Sequence, residues 1–148
     1  MRSDKLAHLE ELMIKCARKL EEELAVGPHD MGLSSAPFLM LRLVGRYEPT
    51  TVSEVAEALD VTPSAITSLS DRLVRAGFLS PTRKESDRRV VVLTLTPQGR
   101  ETLDELLKTR RLRLASYLEQ FSQEDLSALI RVVERLASVM GIAHQNNP

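Results

Sequence analysis

Along the first segment of the chain, apolar residues recur three and four positions apart, at Leu6, Leu9, Met13, Cys16, Leu20 and Leu24, with charged residues in the gaps. That period predicts an amphipathic helix over 4–25. Gly27-Pro28 ends it, and the absence of any period up to Gly32 predicts a loop. A second helix is predicted over 34–47. Its Pro37 falls in the first turn, where a missing N–H costs nothing, and Phe38, Leu41, Leu43 and Val44 are its core candidates. Glu48-Pro49 stops it.

Thr51 to Glu54 reads Thr-x-x-Glu, a capping box in which each side chain satisfies a backbone N–H of the other residue. Val52, Val55, Ala56 and Leu59 then form one face of a short third helix. After an Asp60-Val61 turn, Thr62 is an N-cap and Pro63 the first residue of a fourth helix, which buries Ile66, Leu69 and Leu73. Gly77 suits the left-handed residue that closes it. From Phe78 the period changes to extended. Phe78–Arg83 and Arg89–Leu95 are predicted strands around the polar run KESD, and together they make a hairpin. Thr96-Pro97 repeats the cap-and-proline signal and opens a fifth helix to about Glu119, carrying Leu103, Leu106, Leu107, Leu112, Leu114 and Leu118. Ser122 to Asp125 caps a sixth, which runs through Leu126, Leu129, Ile130, Val133, Leu136 and Met140 to about Ala143. The closing HQNNP is expected to fray.

Two short helices joined by a tight turn and followed by a hairpin make a winged helix-turn-helix. The small Ala56 suits the point where the two helices touch, and Val55, Leu59, Val61, Ile66 and Leu69 suit their crossing. Asp60 stands where a turn glycine is usual, and aspartate tolerates the left-handed conformation better than most residues. The expected fold is therefore mainly α (α+β), six helices with a two-stranded β-wing in a single domain over 1–148. Residues 34–96 form its winged lobe. The flanking helices, 4–25 and 97–143, carry more apolar surface than such a lobe needs, so they are expected to pair two chains into an intertwined homodimer.

Composition agrees and then adds charge. The 148 residues are 43% hydrophobic, 28% charged and only 3% aromatic, which disfavours an all-β fold. With 20 basic against 21 acidic residues the chain is not basic throughout. In segments, however, residues 62–96 carry six basic and three acidic groups, a net of +3, while residues 47–61 carry four acidic and no basic ones. The positive charge therefore gathers on the fourth helix and the hairpin, the elements that would face DNA.

Cys16 is the single cysteine and cannot form an intramolecular disulfide. Its place beside Met13 and Leu20 reads as a buried, inert thiol, the other reading being a redox-sensing cysteine. Charged residues interrupt every apolar run near the start, so neither a leader nor a membrane span is expected and the compartment is expected to be the cytoplasm. His8, His29 and His144 have no metal-site spacing, and no phosphate loop, nucleophile elbow or paired-carboxylate signature is present. No enzyme activity and no cofactor or metal are expected. Arg110, Arg111 and Arg113 read as a solvated run or an inter-subunit ion pair.

TVSEVAEAL from Thr51, VTPSAIT from Val61, DRLVRAG from Asp71, the DRR of Asp87 to Arg89, and LTLTPQG ending at Gly99 resemble the MarR family of bacterial transcriptional regulators. The resemblance implies a homodimer whose two winged lobes grip a near-palindromic site in double-stranded DNA, most simply as a repressor. It implies that Ser64, Ala65, Thr67 and Ser68 face the major groove, with Arg72 a basic position later in the same helix. Position 68 is often arginine in the family and is serine here. At the wing it implies that Arg89 enters the minor groove while Asp87 holds its guanidinium. Arg83, Lys84 and Arg88 are the expected phosphate contacts there, with Thr51, Ser53, Thr62 and Arg75 adding others. The resemblance further implies a small aromatic or phenolic effector between the dimerisation helices and the lobe, where Met13, Cys16, Phe38 and Arg42 are the candidate lining. The residues alone leave another reading open, a winged-helix protein-interaction module without DNA binding, which would not need the positive wing.

Overall fold

The computed structural model describes residues 2–25 and 35–142. In chain order the elements are α1 (Arg2–Leu24), α2 (Ala36–Tyr47), β1 (Thr50–Thr51), α3 (Val52–Leu59), α4 (Pro63–Arg75), β2 (Leu79–Lys84), β3 (Asp87–Leu95), α5 (Pro97–Leu118) and α6 (Gln123–Val139). The expected loop at 27–32, the start of the second helix at Ser34, the end of the sixth at Ala143 and the HQNNP tail lie outside the described residues. The chain divides into two compact units, Met1–Arg111 and Leu112–Pro148.

Local chemistry sets the helix ends. At α3 both halves of the capping box form: the Glu54 N–H donates to Thr51 Oγ1 at 3.1 Å and the Thr51 N–H donates to Glu54 Oε2 at 2.7 Å. Asp60 closes α3 at φ 53° and ψ 47°, in the left-handed region, as expected of the residue replacing the turn glycine. Thr62 caps α4 and Ser122 caps α6. Gly77, at φ +84°, turns the chain from α4 into β2.

The sheet has three strands rather than two. Thr50 and Thr51 pair antiparallel with Leu93 and Val92, giving the order β1-β3-β2. A strand of two residues is too short to show alternation in sequence, and only the partner strand defines it.

The core of the first unit gathers Phe38, Met40, Leu41 and Val44 of α2, Val55 and Ala56 of α3, Ile66 and Leu73 of α4, Leu93 and Leu95 of β3, and Leu103 and Leu106 of α5. Each large apolar side chain buried there contributes roughly 1.5–3 kcal/mol. Met40 is fully buried although it lies off the expected face, because α2 is covered on more than one side. Thr96 ties the lobe to α5. Its N–H donates to the Phe78 carbonyl at 3.1 Å, its hydroxyl donates to the Gly77 carbonyl at 2.5 Å, and that hydroxyl also accepts from the Gly99 N–H at 2.9 Å. The Glu48 carboxylate accepts from the Leu95 N–H at 2.8 Å and pairs with Arg100, so the residue that ends α2 also fixes the junction of β3 and α5.

Two expectations fail. Arg110 is buried, not solvated: its guanidinium lies over the Phe38 ring, where stacking and a backbone acceptor offset the loss of water. Cys16 is exposed, because the side chains of α1 stay open to solvent until its last turns. Leu6, Leu9 and Met13 of α1 are likewise exposed. In the second unit, so are Leu129, Ile130, Val133, Leu136 and Met140.

Candidate nucleic-acid interface

The helix-turn-helix is held from inside. Ala56, Val55, Ile66 and Leu73 are buried between α3 and α4, and the Val61 N–H donates to the Ala56 carbonyl at 3.0 Å across the turn. This leaves Ser64, Ala65, Thr67, Ser68, Arg72 and Arg75 exposed on α4. They occupy successive turns of one helix face at i, i+3 and i+4 spacing, the surface such a helix lays into a groove. The Thr67 hydroxyl donates to the Pro63 carbonyl at 2.9 Å, and the hydroxyls of Thr62 and Ser64 lie 3.3 Å apart.

The wing is β2 and β3 with Glu85 and Ser86 at its tip. Lys84 pairs with Asp87 and Arg83 with Val91, so one step along β2 spans four along β3 and Arg88, Arg89 and Val90 lack ladder partners. Such a bulge bends the strand and re-aims its side chains. Arg83 braces it, its Nη1 donating to the Arg88 carbonyl at 2.7 Å. Asp87 Oδ1 accepts from the Arg89 N–H at 3.1 Å and from Arg89 Nε at 3.2 Å, while Oδ2 accepts from Nη2 at 3.5 Å. Those bonds from Arg89, side chain first and backbone second, hold the Asp87 carboxyl below the usual carboxylate range. The Arg89 side chain is nevertheless 92% exposed, a fixed cation presented to solvent.

A model of the MarR family matches residues 33–91, which contain the helix-turn-helix and the wing tip. Over that stretch the chain is similar to the MarR family. It is 28% identical over 130 residues to the HTH-type transcriptional repressor MdtR of Bacillus subtilis, covering 88% of this chain and 84% of that one. Among solved structures, a MarR family protein from Bacillus stearothermophilus aligns with a TM-score of 0.81 at 28% identity, over 95% of this chain and 99% of the other. The YusO protein from Bacillus subtilis aligns with a TM-score of 0.69 at 29% identity, over 93% and 94%. These relatives include transcriptional regulators, and the chain shares their winged fold.

The expected wing and recognition-helix residues fall on two exposed surfaces, and Lys84 and Arg88 are exposed with them. Thr51 differs: its N–H and its hydroxyl both face Glu54, leaving the exposed Ser53 as the less engaged side chain of that helix start. Glu54 is itself held below the usual carboxylate range, first by the Thr51 N–H, then by the hydroxyls of Thr50 and Thr51, with the charge of Lys84 adding. The candidate effector lining is dispersed in burial: Phe38 is in the core with Arg110 over its ring, whereas Met13, Cys16 and Arg42 are exposed. Sequence reading missed the wing bulge, the Glu48 junction and Arg110. The register of two strands defines the first, and the others join residues dozens of positions apart. Among the described residues no group of His, Cys, Asp and Glu could hold a metal ion, and no helix is long and apolar enough to cross a membrane.

Proposed function

We propose that this chain is a MarR-family transcriptional regulator, a ligand-responsive repressor that binds a near-palindromic operator as a homodimer in the cytoplasm. The observation that carries the reading is Arg89, held by Asp87 on a bulged wing yet 92% exposed. A planar, always-charged group fixed in that way suits the narrow, electronegative minor groove of A·T-rich DNA. Ser64, Ala65, Thr67 and Ser68 then face the major groove. Arg72, Arg75, Lys84, Arg88, Ser53 and Thr62 contact phosphates, and Arg83 braces the wing while adding a charge.

The exposed apolar residues of α1 and α6 support a second copy as the partner that covers them, with helices 4–25 and 97–143 as the dimerisation elements. A twofold dimer places its recognition helices about 34 Å apart, one turn of DNA. The effector in this reading is a small aromatic or phenolic anion. Arg42 and Arg110 lie close enough to repel each other, so an anion at the exposed Arg42 bears on the joint that Arg110 makes. A hundredfold preference of the ligand for a lobe spacing that cannot bind DNA is worth about 2.7 kcal/mol, enough for a useful response.

Footprinting on the DNA flanking the protein's own gene, with a salt titration, tests the reading. A protected palindrome whose affinity falls steeply with salt is expected, and Arg89→Ala should cost about 1–3 kcal/mol. No protected site, or a site bound without salt dependence, would sink it.

A further inference from the structure

The exposed face of α4 carries an unusual set of side chains for reading bases. From Pro63 through Asp71 there is no Arg, Lys, Asn or Gln; the first such residue is Arg72. Arg72 lies eight residues beyond Ser64, about 12 Å along the helix axis. A recognition helix touches base edges mainly with its N-terminal residues, so this arginine sits past the part that enters the groove. Bidentate reading of guanine O6 and N7 needs Arg or Lys, and that of adenine N6 and N7 needs Asn or Gln. None stands in the first two turns.

The hydroxyls that do stand there are partly engaged. Thr67 Oγ1 gives its proton to the Pro63 carbonyl at 2.9 Å, so toward DNA it can only accept. The hydroxyls of Thr62 and Ser64 lie 3.3 Å apart, and Thr62 Oγ1 also accepts from the Ala65 N–H at 3.4 Å. Beside the single hydroxyl of the exposed Ser68, which can make no bidentate contact, the recognition chemistry left on this face is apolar: the methyl groups of Ala65 and Thr67, two exposed residues. Their complement in the major groove is the 5-methyl group of thymine.

We infer that Ala65 and Thr67 are specificity-determining residues that read thymine methyl groups in the major groove, and that no bidentate contact to guanine or adenine is made by the first two turns of α4. The inference rests on α4 being the DNA-reading helix. It assigns this chain a major-groove readout by α4 that is strongest at thymine positions.

The test uses the full-length protein and a pool of random 30-bp duplexes. The duplex enriched by repeated selection is resynthesised with deoxyuridine for thymidine, or with 7-deazapurines for the purines, one half-site position at a time. Loss of a thymine methyl that meets Ala65 or Thr67 should weaken binding about fourfold, and about fifteenfold when both half-sites are changed. The 7-deaza substitutions under α4 should weaken binding less than loss of those methyl groups does. Thr67→Ser, which removes only the methyl group, should abolish the thymidine-over-deoxyuridine preference at one position. Thr67→Val should keep that preference. An enriched duplex that tolerates deoxyuridine but is weakened by 7-deazaguanine overturns the inference alone, as does a Thr67→Ser protein with an unchanged preference. A pool that yields no enriched duplex and no salt-dependent binding overturns the DNA-binding reading, and the inference with it.

Discussion

The Arg110 guanidinium lies 3.3 Å from the centroid of the Phe38 ring, and its Nε donates to the Leu24 carbonyl at 3.1 Å. One side chain of α5 therefore meets α2 and the last turn of α1. The Leu24 carbonyl is one of those an α-helix leaves without an intrahelical partner, and it sits at the negative end of the helix dipole. Burial pushes the Arg110 guanidinium down from its ordinary pKa, the nearby Glu21 carboxylate opposes that shift, and Arg42 adds to it. Arginine keeps its charge through such shifts, so the joint is a desolvated cation on an aromatic face.

Arg110→Ala removes the stack and the helix-end donor together and should lower stability by about 2–4 kcal/mol in denaturant unfolding. Arg110→Lys keeps the charge but loses the planar stack, and should recover only part of the loss. Equal stability of the lysine variant and the wild type would show that charge alone matters at this position.

Gly99 lies where α5 presses against the backbone of Phe78, just before β2. A Cβ built there would fall 2.0 Å from the Phe78 carbonyl oxygen, a backbone atom that also accepts from Thr96. Backbone cannot yield as a flexible side chain can, so Gly99→Ala should cost about 1–3 kcal/mol or more although alanine favours helix. Thermal unfolding of the variant measures it; an unchanged midpoint would mean that α5 shifts freely at its start.

The two lowered carboxylates make a pH prediction with a definite sign. Glu54 and Asp87 hold their protons less tightly folded than unfolded. Their interactions are therefore present above the unfolded pKa values, about 4, and are lost as pH falls through the lower folded values. NMR titration of both side chains should give midpoints below those of the corresponding free peptides. Asp87→Asn should remove that titration and release the Arg89 guanidinium, weakening DNA binding at neutral pH. Thr51→Ala should cost about 1 kcal/mol and bring the Glu54 midpoint back toward the ordinary range.

Cys16 reports on the pairing of chains. In the single chain it is exposed beside Met13, on the stripe that a second copy would cover. Its reaction with a thiol reagent should slow as protein concentration rises through the dimerisation range. A rate independent of concentration would place the interface elsewhere. Peroxide oxidation of Cys16 that abolished DNA binding would instead establish the redox-sensing reading.

Much of this protein is fixed by neighbours in sequence. Thr51 and Glu54, Thr62 and Pro63, Asp60 and Gly77 act within a turn or two of themselves, through hydrogen bonds and backbone conformations that depend on residue type, so the helix-turn-helix and the positions of its exposed serines and threonines could be read directly. The Asp87–Arg89 pair, two residues apart, was legible through the family resemblance. Long-range geometry decided the rest. Whether Arg110 is solvated or buried depends on Phe38 and Leu24, 72 and 86 residues away. The third strand exists only because β3 lies beside Thr50 and Thr51, and the wing arginines leave the ladder only because the registers of β2 and β3 slip past each other. Periodicity tells which face of a helix is apolar, but not what covers it. For that reason the stripe holding Cys16 looked like core in the sequence and is open in the single chain.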